Sequence, residues 1–422
     1  MTSDRSPNLT GARHRRGTAA VLLVGVVLLV VLLSGCGKTI IAGGELRKIS
    51  NNADISSVAE APDGTVVLEW SDRDGSLESF APPGKGWSHA EKLRDDGVAV
   101  DAVAFNGLGE RLAVWRGGRG LVFDARRPGD KKPLLYASLP LPPTSGVWGV
   151  ADAIGSSGCD FLVDEYDNDA HQDVFLVSCE PHWRVTRVRT RNAGGNCLAF
   201  DRNGNPALFF DVGRPHARAL LLYATIRPDG RLNRPRRIAL LTKQQTEGDT
   251  GLVVQGARDS TIVWGADNGE IWQATPKGVT RLSVSRSPSA SRNASFGPGD
   301  IDTIADDEGR TIAVWNDDGI VWISLPTPHG RRTERVGSGS DPVLARAGKR
   351  LFVNVGLNTL QYAIFAQRGA SWEKFDLGEN ETPSFAVVGA SGPQAVFAWT
   401  HDNYESDQVS STDLYTWIFP RP

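Results

Sequence analysis

The sequence is poor in the features that define disulfide-rich, metal-bound or helical folds. It has only four cysteines in 422 residues, and no two of them stand at the short spacing of a zinc site. Outside the N-terminal segment, no helical periodicity extends beyond two turns. By contrast, 46 glycines, 24 prolines and 12 tryptophans are typical of many short strands closed by turns. We therefore predict an all-β chain.

The charge balance argues against a general nucleic-acid partner. The formal net charge is -3, and residues 1–35 carry four arginines against one aspartate, which leaves -6 for the rest of the chain. Binding to nucleic acid requires a basic face that displaces counterions from phosphates. We expect no nucleic-acid partner, and no motif predicts a cofactor.

The N-terminus has the form of an export signal. A basic segment, residues 13–16, precedes an apolar run at residues 18–33. That run has 16 residues, fewer than the roughly 20 that span a bilayer comfortably, so a permanent transmembrane helix is the weaker interpretation. Arg15 and Arg16 also suggest a twin-arginine signal, but the rest of that motif is missing.

The four residues that follow the apolar run, Leu33, Ser34, Gly35 and Cys36, resemble the bacterial lipobox. In that family the cysteine is joined to a diacylglycerol and the preceding peptide is removed, and two or more acyl chains make an anchor stable. The resemblance implies a signal peptide (1–35), a lipid-anchored segment (36–43) and a location on the outer face of the cell membrane. The alternative is a plain secretory signal in which Cys36 is incidental.

The mature chain is organised around a repeat whose clearest copy is residues 301–323, "IDTIADDEGRTIAVWNDDGIVWI". It predicts a strand to Ala305, a turn at Asp306, Asp307 and Gly309, a second strand at residues 311–315 and a third at 320–323. Seven weaker copies have an apolar second strand, apolar on both faces as in a strand between packed sheets. These second strands end at Trp70, Trp115, Asp164, Asp211, Trp264, Trp315, Val355 and Trp399.

The spacing of the copies predicts a β-propeller. Seven steps separate Trp70 from Trp399, an average of 47 residues, which is close to the period of four-stranded propeller blades. The eighth copy lacks an outer strand, and residues 44–50 form an orphan strand of matching composition. If the orphan pairs beside residues 414–418, the ring closes without an open sheet edge. We predict one domain, 44–422, with eight blades; a seven-bladed ring with one degenerate copy is the alternative.

Acidic turns follow the second strands and are the predicted ligand face, since such loops gather at the mouth of a propeller channel. The richest turn, after Asp164, could offer oxygen ligands to calcium but lacks the glycine that a calcium loop needs, so we predict no metal. Turn chemistry explains the recurrence of these acidic turns better than catalysis does. The candidate ligand-face residues are Asp72, Asp164, Asp167, Asp169, Asp267, Asp317 and Asp402, with Arg116 and His216 as further positions to map.

Cys159 and Cys179 stand symmetrically about the same loop. An antiparallel hairpin centred near Asp169 would place them opposite each other, and an oxidising compartment outside the membrane would favour a disulfide. The alternative is two buried free thiols.

The repeat turn also resembles the Asp-box of sialidase-like propellers, S-x-D-x-G-x-T-W. Asp307, Gly309 and Thr311 match, whereas Ala305 and Ile312 replace the serine and the tryptophan. The resemblance implies the fold; a glycosidase would also need paired carboxylates and a basic anion clamp at the channel mouth. Two functional hypotheses therefore remain. The first is a non-catalytic binding or assembly protein with a protein or glycan partner, and the second is a sialidase-like hydrolase of surface glycans.

Overall fold

The repeat forms eight four-stranded antiparallel sheets in the computed structural model. The chain divides by its contacts into Met1–Ile40 and Ile41–Pro422, and every described residue belongs to the second unit. The structure describes residues 45–73, 75–94, 99–117, 120–127, 130, 132–140, 150–166, 172–189, 194–201, 203–212, 219–241, 252–254, 261–265, 270–284, 301–358, 361–379, 381–388, 395–405 and 408–419. The predicted signal peptide and Cys36 lie outside these residues.

The first four blades each take four consecutive strands, ordered from the innermost strand outwards. Blade 1 contains β2 (Asp54–Glu60), β3 (Val66–Asp72), β4 (Gly75–Ala81) and β5 (Glu91–Arg94). Blade 2 contains β6 (Ala102–Phe105), β7 (Arg111–Gly117), β8 (Gly120–Arg126) and β9 (Leu135–Pro140). Blade 3 contains β10 (Val150–Gly155), β11 (Phe161–Tyr166), β12 (Gln172–Ser178) and β13 (Arg184–Arg187). Blade 4 contains β14 (Gly194–Phe200), β15 (Pro206–Val212), β16 (Ala219–Thr225) and β17 (Arg236–Leu241).

The last four blades follow the same order, except that blade 8 takes its outer strand from the other end of the chain. Blade 5 contains β18 (Leu252–Val254), β19 (Thr261–Gly265), β20 (Glu270–Thr275) and β21 (Gly278–Val284). Blade 6 contains β22 (Ile301–Ala305), β23 (Thr311–Asp317), β24 (Ile320–Thr327) and β25 (Gly330–Ser338). Blade 7 contains β26 (Ser340–Ala347), β27 (Arg350–Asn358), β28 (Gln361–Arg368) and β29 (Ser371–Glu379). Blade 8 contains β30 (Glu381–Val388), β31 (Ala395–Glu405), β32 (Gln408–Phe419) and β1 (Glu45–Asn51).

The second strand of a blade packs on both sides, as its apolar sequence predicts. In β3, Leu68 and Trp70 face blade 8, whereas Val67 faces blade 2. The same division recurs around the ring, so that each of the eight blade interfaces has its own hydrophobic cluster. Eight interfaces between eight blades require a closed ring, because a linear stack would have only seven. The prediction of eight blades is confirmed, and the seven-bladed alternative is excluded.

The ring closes as predicted, with β1 pairing antiparallel to β32. Leu46 lies opposite Trp417, and Lys48 forms a 2.6 Å ion pair with Asp413. The indole of Trp87, in blade 1, donates a 2.8 Å hydrogen bond to Thr416 Oγ1, in blade 8. Trp87 precedes the outer strand β5, which begins at Glu91, and its side chain packs in the hydrophobic cluster between blades 1 and 8.

The turn between first and second strands is built in the same way in four blades. One side-chain oxygen at its first residue accepts hydrogen bonds from the backbone N–H groups two and four residues later. The residues in that position are Asn106, Ser156, Asp201 and Asp306. Gly309, with φ of 72°, closes the turn in blade 6. The turn predicted at residues 306–309 is therefore held by Asp306, while Asp307 instead forms a 2.6 Å ion pair with Arg346 of blade 7.

Blades 2 and 3 approach each other closely at these turns. A Cβ atom on Gly107 would lie 1.8 Å from the carbonyl oxygen of Ser157, and one on Gly155 would lie 1.9 Å from that of Phe105. Only glycine permits this contact. Within the described residues every regular element is a strand, and none is a helix with the length and apolar character that a membrane crossing needs.

Candidate functional site

The turns of the propeller divide between two faces of the ring. Successive strands of a blade run in opposite directions, so alternate turns lie at opposite ends. We call the face with the second-to-third turns and the connections between blades the upper face. The face with the first-to-second and third-to-outer turns is the lower face. First strands begin, and second strands end, on the upper face.

Four of the candidate ligand-face aspartates are described, and each lies at the upper end of a second strand. Asp72, Asp164, Asp317 and Asp402 occupy blades 1, 3, 6 and 8. Asp72 and Asp164 are half-buried, and Asp317 is only 3% exposed. The structure therefore distributes them around the ring and does not gather them in one blade. Asp167, Asp169, Asp267 and His216 lie outside the described residues.

A second set of carboxylates on the upper face was missed by the sequence analysis. Six of the eight first strands have an acidic residue at their upper end, and these strands are the innermost of the ring. The residues are Asp54, Asp101, Asp152, Asp302, Asp341 and Glu381. A sequence signal was available, because an aspartate two residues before the valine or isoleucine of the first strand recurs at residues 101, 152 and 302. Asp54 and Asp341 are exposed.

Two of these carboxylates are structural. Asp302 accepts a 2.6 Å hydrogen bond from the backbone N–H of Leu344, which joins the first strands of blades 6 and 7. Asp101 accepts a 3.0 Å hydrogen bond from the backbone N–H of Arg116. Burial raises the pKa of both, that of Asp302 to about 6, although the backbone N–H groups act in the opposite direction. Arg116, one of the candidate positions, thus contacts Asp101 through its backbone N–H.

Two glutamates share one arginine between blades 1 and 2. Glu69 and Glu78 lie opposite each other on β3 and β4. Arg111, on β7, donates a 2.8 Å hydrogen bond to Glu69 Oε1 and a second bond to Glu78 Oε2. All three residues are buried, and Glu69 Oε2 has no hydrogen-bond partner within the described residues. Burial raises the pKa of Glu69 to about 8, which the nearby Arg111 offsets only in part.

The placement of this trio bears on the hydrolase hypothesis. A glycosidase needs two carboxylates that flank a bound sugar. Glu69 and Glu78 lie opposite each other, but both are buried at the interface of blades 1 and 2, where a hydrophobic cluster also packs. They do not lie at the channel mouth. Their arrangement is that of a buried hydrogen-bond network between blades, centred on Arg111, and it offers no surface to a glycan.

Cys159 and Cys179 lie on the lower face of blade 3. They flank paired strands β11 and β12, and the structure joins them in a disulfide with Cα atoms 5.9 Å apart. Together with Asp160 they are the only cluster of metal-ligand side chains within the described residues. Because the two sulfurs are bonded to each other, the cluster offers a metal only one carboxylate.

Comparison with known proteins shows the architecture alone. No protein-family model and no curated protein sequence matches the chain. Among solved structures, the WD40 domain of SCAP from fission yeast is similar, with 7% identity and a TM-score of 0.54 over 89% of this chain and 98% of that one. The Dos1 propeller is similar with 9% identity and a TM-score of 0.50, over 88% of this chain and 94% of that one. The chain is therefore a β-propeller whose architecture is similar to that of WD40 domains.

Proposed function

We propose that the protein is a lipid-anchored, extracytoplasmic propeller that binds a partner on its upper face and catalyses no reaction. The observation that carries this proposal is the recurrence of carboxylates at the upper ends of both first and second strands. Asp54, Asp72, Asp164 and Asp341, from blades 1, 3 and 7, are exposed or half-buried, and these four would form an acidic surface on the upper face. Such a surface attracts cationic groups and hydrogen-bond donors of a protein or a surface glycan.

The proposed location rests on the N-terminal sequence. Residues 33–36 resemble the lipobox, and acylation of Cys36 would tether the propeller to the membrane. Washed at high salt, which screens charge contacts with lipid, a Cys36→Ser variant should leave the membrane fraction and appear in the soluble extracytoplasmic fraction. Retention of this variant in the membrane would contradict the lipid anchor and would indicate an uncleaved apolar helix.

Binding on the upper face can be tested with charge-neutral variants. Asp54, Asp72 and Asp341 are changed together to asparagine, and the tagged protein is used to capture cross-linked partners from membranes. Asparagine tolerates the positive φ of 46° at position 341, so the backbone is preserved. We expect capture to fall at least about tenfold, because charge contributes to both recognition and encounter.

The matched control neutralises three aspartates away from the upper face. Asp63 and Asp130 lie in lower-face turns, and Asp376 lies on an outer strand; all three are exposed. The control triple loses the same charge and should retain capture. Equal loss in the two triples would show a non-specific charge effect and would remove the basis for an upper-face site.

A further inference from the structure

Blades 3 and 4 form one continuous surface on the outside of the ring. The third-to-outer connection of blade 4 folds against the outer strand of blade 3. Arg184 donates a 3.2 Å hydrogen bond to the carbonyl of Pro228, and the N–H of Arg189 donates a 2.9 Å bond to the carbonyl of Gly230. A Cβ atom on Gly230 would lie 2.6 Å from the carbonyl oxygen of Arg187, so glycine makes the contact possible.

This surface is strongly basic. Blade 3 contributes Arg184, Arg187 and Arg189, all exposed. Blade 4 contributes Arg227, Arg231, Arg234, Arg236 and Arg237, which are exposed as well. We call these eight arginines the basic rim.

Few acidic residues neutralise the basic rim. Asp173 pairs with Arg187, and Asp229 pairs with Arg227 and Arg231, which leaves a balance of +6. The other five arginines, at positions 184, 189, 234, 236 and 237, have no ion-pair partner within the described residues. Exposed like charges repel one another, so such a patch in a chain of net negative charge points to an anionic partner.

The shape of the surface indicates the kind of partner. The outer strands form the outside of the ring, and Leu240, 46% exposed, adds an apolar side chain to the strand that carries Arg236 and Arg237. Exposed side chains on an outer strand do not enclose a small anion, but they can contact an extended anionic surface.

The chain enters the ring on the face where the outer strands of the basic rim begin, although blade 8 lies across the ring from blades 3 and 4. Strand β1 enters blade 8 at Glu45, opposite Ile418 near the lower end of β32, so the chain joins the ring on the lower face. Arg184 and Arg236 are the first residues of their outer strands and are therefore also at the lower face.

We propose that the basic rim docks the propeller onto the anionic lipid headgroups of the membrane to which Cys36 is anchored. The biological orientation rests on the anchor of the proposed function, whereas binding to headgroups is a property of the propeller alone. Polybasic surfaces and acyl chains act together as two membrane signals. The upper face would then point away from the lipid, towards its partner.

The test uses the unacylated chain of residues 37–422, which retains all eight blades because the strands that the structure describes lie within residues 45–419. Co-sedimentation is measured with neutral phosphatidylcholine vesicles and with vesicles that contain about 30% phosphatidylglycerol. We expect binding to the anionic vesicles only, and weaker binding as the salt concentration rises. Substitution of glutamine at positions 189, 234, 236 and 237 should weaken this binding at least about tenfold.

The matched control changes four exposed arginines of blades 5 to 7, at positions 281, 332, 335 and 368, to glutamine. It removes the same charge and should alter binding by no more than about twofold. Each variant should unfold at the wild-type temperature. Equal binding of wild type to neutral vesicles, retained binding by the basic-rim variant, or equal loss in the control would each overturn the proposal. Because the assay lacks Cys36, its failure is distinct from failure of the lipid anchor.

Discussion

The buried glutamate at the interface of blades 1 and 2 predicts that stability falls as pH rises. Burial raises the pKa of Glu69 from its ordinary 4.5 to about 8, so the folded chain keeps this carboxyl protonated at neutral pH. The unfolded chain releases the same proton near pH 4.5. Between these values the native state binds more protons, so stability decreases with pH. The contribution of Glu69 is complete below pH 4.5 and is lost as pH rises through about 8.

The size of the effect follows from the difference in pKa. At 1.36 kcal/mol per unit, the full difference corresponds to about 5 kcal/mol, of which about 3.5 kcal/mol falls between pH 5 and pH 8. A propeller of about 375 residues has an unfolding entropy near 0.8 kcal/mol per degree, so this change corresponds to about 4 °C in Tm. Glu69→Gln removes the titration while its amide oxygen can still accept the hydrogen bond from Arg111.

Calorimetric scans of wild type and Glu69→Gln at pH 5 and pH 8, at constant ionic strength, measure the effect. Other groups titrate in both proteins and cancel in the comparison. We expect the wild-type Tm to fall about 4 °C further than that of the variant. Glu308→Gln, which removes an exposed glutamate, should follow the wild type. If the Glu69→Gln and wild-type profiles run parallel, Glu69 is ionised in the folded chain and the reasoning is refuted.

Three further predictions concern other contacts of the ring. Arg111→Met leaves Glu78 buried without its cation and should destabilise the fold by about 3–5 kcal/mol, seen as a lower thermal midpoint. Gly107→Ala forces the turns of blades 2 and 3 apart and should cost about 1–3 kcal/mol, whereas Gly86→Ala, with its nearest atom at 3.7 Å, should be close to neutral. In an unreduced digest, Cys159 and Cys179 should appear as one linked peptide; alkylation of both thiols would contradict the disulfide.

The fold could be predicted because its signal repeats. The second strands are apolar on both faces, and such strands are stable only between two packed layers. The orphan strand at residues 44–50 was the complement of the incomplete eighth copy, and β1 at Glu45–Asn51 occupies that place. Strand ends were less predictable. The predicted third strand at residues 414–418 is part of Gln408–Phe419, because backbone pairing continues through polar residues that carry no apolar signal.

The candidate site was predicted only in part, for a physical reason. The acidic turns after the second strands can be recognised in the sequence as runs of acidic residues. The first-strand carboxylates are single residues, and only the closed ring shows that they lie on the same face. It is harder to predict from the sequence that Arg111 binds Glu69 and Glu78, because the arginine and the glutamates lie on different blades and meet only when the blades pack. The alternation of side chains within β3 shows that Glu69 shares a face with Val67. It does not show which charged residue of the next blade packs against that face.

The number of strands per blade connects the two proposals. Each blade has four antiparallel strands, so its first strand begins and its outer strand ends on the upper face, while the outer strand begins on the lower face. A chain that supplies the outer strand of blade 8 from its N-terminus must therefore join the ring from below, as β1 does. If the N-terminal strand were instead the first strand of a blade, the chain would join the ring at the upper face, where the carboxylates lie. The manner of closure thus brings the chain into the ring at the lower face, opposite the face that carries the carboxylates.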